Sequence, residues 1–186
     1  SLAATIAVSV AARNLMLLGD PQQLPQVSQG VHPAPVDQSA LGFIADGHAV
    51  LPEEYGYFLS ESWRMHSAVT APVSELAYDG ELRSNPSADA RMLAGIAPGL
   101  HPVPVPHAGN STQSVEEAAR VVDLVTDHLG RDWNGSPLTE DDIIVVTPYN
   151  AQVECIRAAL AGHPRVRVGT VDKFQGQEAA VSIVSM

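Results

Sequence analysis

The run Ile143, Ile144, Val145, Val146 constrains the fold more than any other feature of this sequence. Successive side chains of a strand leave on opposite faces, and here neither face is polar, so the run suits a strand covered on both sides. Helical patterns flank it. Ser114 and Glu117 have capping-box spacing, while Val115, Ala118, Val122, Val125 and Leu129 recur on one face before Gly130 supplies a stop. A second helix is predicted over 151–161, with Val153, Ile156 and Leu160 inward, and two more apolar strands at 166–169 and 180–184. Strands alternating with helices give an α/β fold, a parallel sheet flanked by helices.

Upstream the pattern is weaker. Residues 2–12 read as a helix and 14–18 as a short, fully apolar strand, followed by a turn-rich loop over 19–29. Residues 30–52 have no sustained period and read as a connector. Phe58 and Leu59 suit a short strand, 66–78 a helix broken or started near Pro72, and 79–99 a loop-rich stretch. Residues 100–107 alternate proline with valine and histidine, which permits only an edge strand or an extended connection.

The totals narrow the class. A chain of 186 residues, 45% hydrophobic, can bury one ordinary core. No apolar run nears the roughly 18 residues a membrane span needs, so no membrane partner is expected. The single cysteine, Cys155, sits on the apolar face of a predicted helix, forms no internal disulfide and fits a reducing, cytoplasmic setting. It has no Cys or His partner at ligand spacing, and no metal ligand is expected in this chain. The net charge of −11 argues against a protein that coats nucleic acid non-specifically. Arg157, Arg165, Arg167 and Lys173, the only lysine, crowd into one stretch, which suits either a local basic groove or a solvated face.

Ligands of open α/β sheets bind at the carboxyl ends of the strands, and three polar loops are expected there. The first holds Gly19, Asp20, Pro21, Gln22, Gln23, Leu24 and Pro25. Its two amides can sense a phosphate or an attacking water, and the same residues also make a simple turn. The second is Thr147, Pro148, Tyr149, Asn150 at the start of a helix. Thr147 and Asn150 can bond a phosphate and Tyr149 can stack on a base; an N-capping turn with a partly buried tyrosine is the alternative. The third, over 169–178, carries Thr170, Asp172, Lys173, Gln175 and Glu178, with Gly169 and Gly176 letting the backbone approach a ligand. Polar groups of this density between two core strands favour a site.

Together these loops resemble superfamily-one helicases, in the subgroup of the nonsense-mediated-decay helicase and its bacterial relatives. LLGDPQQLPQV (17–27) resembles motif III, SWRMH (62–66) motif IV, VVTPYNAQ (145–152) the motif that follows it, and VGTVDKFQGQEAAVSIVS (168–185) motif V. LAYDGELRS (76–84) and SVEEA (114–118) are similar to landmarks between them. The resemblance implies a RecA-like P-loop NTPase fold: residues 1–27 as the tail of a first RecA-like domain, 28–49 as a connector, and 50–186 as a second, truncated before motif VI and without a P-loop of its own. It also implies an ATP-dependent DNA or RNA helicase that tracks single-stranded nucleic acid 5′ to 3′. ATP and Mg²⁺ would be its cofactors, with the Mg²⁺ ligands outside this fragment, and the missing part of the first RecA-like domain would be its partner.

The same resemblance implies roles. Gln23 would meet the γ-phosphate or its attacking water, and Arg64 would be an arginine finger. Trp63, where relatives usually carry tyrosine, would stack on adenine, and Gly176 and Glu178 would belong to the nucleotide site, with Glu178 on the ribose. Thr147, Pro148, Tyr149, Asn150, Thr170, Asp172, Lys173 and Gln175 would face the tracked strand. The chain departs from the pattern at Ser62 and Ser67, where many relatives carry glutamine and proline, and at Ser114, where asparagine is usual. It contains no G-x-x-x-x-G-K-[ST] and no acidic motif II, so the fragment alone is expected to be inactive. The alternative from another class is a non-catalytic module that binds nucleic acid or protein with a decayed ATP site. A nucleotide-binding metabolic enzyme has no G-x-G-x-x-G to support it.

Overall fold

Short elements fixed by side-chain caps build the first of two compact units, Ser1–Asn85; the second is Pro86–Met186. The computed structural model describes residues 1–23 and 30–186. In the first unit α1 (Leu2–Ser9) begins at Ser1, whose hydroxyl accepts from the Ala4 N–H. Helix α2 (Ala40–Ala45) begins at Ser39, which accepts from the Gly42 N–H, and stops at Asp46 with φ 47°. Strand β1 (Glu61–Ser62) pairs in parallel with β2 (Arg83–Ser84), and α3 (Ser67–Ala77), with Pro72 inside it, connects them.

Three expectations change in this unit. No strand forms over 14–18: Met16 and Leu18 are 80% and 86% exposed, because an apolar run becomes a strand only where a neighbour completes its ladder. The connector over 30–52 contains α2, which a serine cap starts although its six residues are too few to show a period. The short strand falls on Glu61–Ser62 rather than on Phe58 and Leu59, and the Phe58 ring instead packs on Tyr78 with centroids 5.9 Å apart. Residues 24–27 of the first motif lie outside the described residues.

The second unit runs α4 (Val115–His128), β3 (Asp132–Trp133), β4 (Ser136–Pro137), β5 (Ile143–Val146), α5 (Asn150–Ala159), β6 (Arg167–Gly169), α6 (Val171–Phe174) and β7 (Val181–Val184). Asn134 at φ 54° and Gly135 at φ 89° turn the β3–β4 hairpin, a two-residue loop with both residues in the left-handed region. The larger sheet is parallel throughout, in the order β6-β5-β7, as the β-branched run requires. Ile143, Ile144 and Val145 are buried in it. Its core joins Ile143 and Val145 to Val121 and Val125 of α4, Val153 and Ile156 of α5, and Val168 of β6.

Two details of α4 differ from the sequence pattern. Val121, 3% exposed, is in the core, whereas Val115 is 64% exposed, because the inward face runs through Ala118, Val121 and Val125. The capping box is half made. Ser114 Oγ accepts from the Glu117 N–H at 3.1 Å, but the Ser114 N–H donates to Gln152 Oε1 of α5 at 2.7 Å. Gln152 is 3% exposed and also donates to Ser114 O and Ser185 Oγ. Glu117 is thereby released to accept from Ser185 Oγ and, at 3.0 Å, from the Met186 N–H, with His107 Nε2 3.3 Å from its other oxygen. Cys155 is half-buried, its sulfur 3.9 Å from Ser114 O.

Candidate functional site

In the first unit, the turn after β1 presents two of the candidate residues. Trp63 is 64% exposed and Arg64 is exposed beside it. Backbone partners on both sides fix this turn. Ser62 Oγ accepts from the Arg64 N–H at 3.4 Å, Met65 O accepts from Thr70 Oγ1 at 3.2 Å and from Ser84 Oγ at 2.7 Å, and His66 Nδ1 caps α3 by accepting from the Ala68 N–H at 3.0 Å. Ser62, a departure from the motif, thus orients the turn that carries the arginine.

The loop bearing Gln23 is organised by Asp20. Asp20 Oδ1 accepts from the Gln22 N–H at 3.0 Å, an Asx turn, while Oδ2 accepts from the Gln23 side chain at 3.0 Å and from the Tyr78 hydroxyl at 2.6 Å. Burial first, and then the Asp20 carboxylate that accepts its proton, push the Tyr78 phenol up to about 12. Both fall within segments that the motifs mark, but the sequence assigns neither Asp20 nor Tyr78 a role of its own. The spacing of 58 residues leaves no local signal for such a pair.

In the second unit, Thr147 and Thr170 lie side by side. They follow the neighbouring strands β5 and β6 at their carboxyl ends, and the Thr147 N–H donates to Gly169 O at 3.1 Å. Thr147 is 1% exposed, and its hydroxyl is buried without a hydrogen-bond partner. An orphaned buried polar group costs about 1–3 kcal/mol, so its retention calls for a reason. Pro148, Tyr149 and Asn150 are exposed, Tyr149 by 46%, and α5 starts at Tyr149 with no side-chain cap. The N–H groups of its first turn therefore have no side-chain acceptor at the cap, the arrangement that receives a phosphate oxygen.

The 169–178 loop does not gather its polar residues in one place. It leaves the carboxyl end of β6 at Thr170 and returns to the amino end of β7, whose first residue Val181 pairs with Ile143 at the start of β5. A strand rises about 3.3 Å per residue, so the length of β5 puts roughly 10 Å between these two ends. Thr147 and Thr170 are thus at one end of the sheet and Glu178 at the other, which corrects the expectation that the whole loop crowns the carboxyl ends. Between them Asp172 and Gln175 are exposed, and Gly176, at φ 77°, has open space where a Cβ would stand.

Each of the four clustered basic residues has partners within the second unit. Arg157 donates to Glu154 and to Val168 O, Arg165 reaches Glu140 and Asp141, Arg167 donates to Gln177, Asp141 O and Glu178 O, and Lys173 Nζ donates to Val168 O at 3.0 Å. The sequence shows where cations crowd but not which carbonyls they satisfy. Lys173 also explains Gly169: a Cβ there would stand 2.5 Å from Lys173 Cδ and 3.2 Å from the Phe174 ring.

A family described as an AAA domain matches residues 37–186. The chain is 31% identical over 192 residues to the DNA-binding protein SMUBP-2 of Rattus norvegicus, covering 94% of this chain and 19% of that protein. It is 30% identical over 184 residues to the 5′-3′ DNA helicase ZGRF1 of Mus musculus, covering 92% and 10%. With the DNA replication ATP-dependent helicase/nuclease DNA2 of Gallus gallus it shares 26% over 183 residues, covering 94% and 17%. The chain therefore spans less than a fifth of the length of each of these relatives.

Proposed function

This chain belongs to the AAA domain family, as a superfamily-one helicase-like domain with a RecA-like α/β fold, and we propose that it is the second motor domain, with adjoining motif III, of an ATP-dependent helicase. The observation that carries the nucleic-acid part is the pairing of Thr147 with Thr170. Adjacent strand ends place them together, beside the uncapped start of α5 and an exposed Tyr149. A phosphate of a single strand, DNA or RNA, would be received by the α5 N–H groups, Asn150 and the two threonines, with Tyr149 against a base. Because Thr147 Oγ1 is enclosed, its contact requires the 147–150 turn to shift as the strand seats. Pro148 shapes that turn, and Asp172, Lys173 and Gln175 border the same track.

The nucleotide part rests on the family and on the fit of exposed groups. Trp63 offers an indole face for adenine and Arg64 a guanidinium for the charge that develops on a transferring phosphoryl group. Gln23 is the candidate sensor of the γ-phosphate and Glu178, beside Gly176, the candidate ribose ligand. ATP would be accompanied by Mg²⁺ whose ligands lie outside this chain. Residues 1–27 would complete a first RecA-like domain and 50–186 form the second, joined through 28–49. None of the described helices is long and apolar enough to cross a membrane, and we place the protein in the reducing cytoplasm on its single cysteine.

Strand displacement by the full-length protein tests the reading. With ATP it should open duplexes bearing a 5′ single-stranded overhang and leave those bearing only a 3′ overhang closed. A protein that binds single strands but displaces none, with or without ATP, favours the non-catalytic module.

A further inference from the structure

Arg167 opens β6, where it pairs with Ile144 in register. Its guanidinium reaches three separate points: Nη1 donates to Gln177 Oε1 at 2.9 Å, and Nη2 donates to Asp141 O at 3.1 Å and to Glu178 O at 3.5 Å. Gln177 passes the connection on, its Nε2 donating to Lys173 O at 2.9 Å in the last turn of α6. Asp141 lies in the single turn Glu140–Asp142 that leads into β5. One planar side chain therefore ties the sheet to the segment that delivers Glu178, and does so with Nε buried and unpartnered. Hydrogen bonds from a charged donor are roughly twice as strong as neutral ones, and the fixed fork of arginine sets angles as well as distances.

We propose that Arg167, acting through Gln177, is a positioning residue that aims Glu178 at the ribose of a bound nucleotide and so lets the protein prefer a nucleotide that carries its ribose hydroxyls over one that lacks both. This rests on the assignment of Glu178 to the ribose. Arg167 does not touch the nucleotide; it holds the backbone of the residue that does. Lysine cannot replace it, because a single ammonium cannot bond Gln177, Asp141 O and Glu178 O at once from that position.

The test is equilibrium binding of ATP and of 2′,3′-dideoxy-ATP to the full-length protein and to Glu178→Gln, Arg167→Gln, Arg167→Lys and Gln177→Ala variants. The wild type should favour ATP by roughly tenfold or more, as for hydrogen bonds to a charged acceptor. Glu178→Gln should remove most of that preference. Arg167→Gln, Arg167→Lys and Gln177→Ala should each shrink it while leaving the dideoxy affinity unchanged, a pattern that a general loss of fold does not produce. Gln177, whose side chain is exposed, keeps the test available if the arginine variants fail to fold. If the wild type shows no preference, or Glu178→Gln keeps it, the ribose assignment is wrong and this inference falls with it. If Glu178→Gln abolishes the preference but Gln177→Ala and the folded Arg167 variants retain it in full, Arg167 does not position Glu178 and the inference alone is overturned.

Discussion

The Tyr78 hydroxyl donates at 2.6 Å to Asp20 Oδ2, the same oxygen that accepts the Gln23 side chain at 3.0 Å. One carboxylate thus joins the C-cap of α3 to the loop that holds the candidate phosphate sensor. Asp20, which orients Gln23, is itself held by Tyr78 from 58 residues away in sequence, and α3 is the helix that follows the turn of Trp63 and Arg64.

This bond has a pH signature. The Tyr78 phenol is raised from its ordinary value of 10.0 to about 12 in the folded chain. A raised folded value contributes stability that is complete below the unfolded value and is lost as pH rises through the folded one, so the loss should fall between about pH 10 and about pH 12. Comparing the wild type with Tyr78→Phe by denaturant titration across that window should give a difference that vanishes at its alkaline end. A difference that stays constant would mean that the Tyr78 phenol titrates alike in the folded and unfolded chain, which contradicts the raised value.

Thr147→Val separates function from stability by their signs. Valine keeps the shape and removes the orphaned hydroxyl, so the folded chain should gain about 1 kcal/mol. Affinity for a fluorescent single strand should fall at the same time. A more stable variant with unchanged strand affinity would leave Thr147 as a packing residue.

Gly169→Ala should destabilise the chain by roughly 1–3 kcal/mol, since the new methyl overlaps Lys173 and presses on Phe174. The Lys173 side chain must leave, and its bond to Val168 O goes with it. Adding Lys173→Ala should then cost little more, a non-additivity readable from denaturation midpoints. Full additivity would place the strain elsewhere.

The parts legible in sequence were those with a period or a local partner. The run Ile143–Val146, the α4 face through Ala118 and Val125, and the Ser114 cap all follow from spacing within a few residues. What was missed depends on distant chain segments. Ser114 gives its N–H to Gln152, 38 residues on, so Glu117 is not needed for the capping box. The 14–18 run has the composition of a strand but no neighbour to pair with among the described residues. For the candidate site, the motifs identified which residues to consider, whereas the division of Thr147 and Thr170 from Glu178 between two ends of the sheet follows only from strand register. Arg167 looked like part of a basic patch because sequence records a charge and not the carbonyls it satisfies.

The most direct test of a motor driven by ATP is the rate of ATP hydrolysis by the full-length protein, with and without a single strand, for the wild type and Arg64→Ala. Hydrolysis should be stimulated by the strand. Arg64→Ala should lower the stimulated rate by on the order of 10³-fold while strand affinity is largely kept, because a guanidinium that meets charge developing in the transition state contributes little to the ground state. Turnover indifferent to nucleic acid, or an Arg64→Ala variant that hydrolyses ATP at a near-normal rate, would contradict the account and return Arg64 to a surface role.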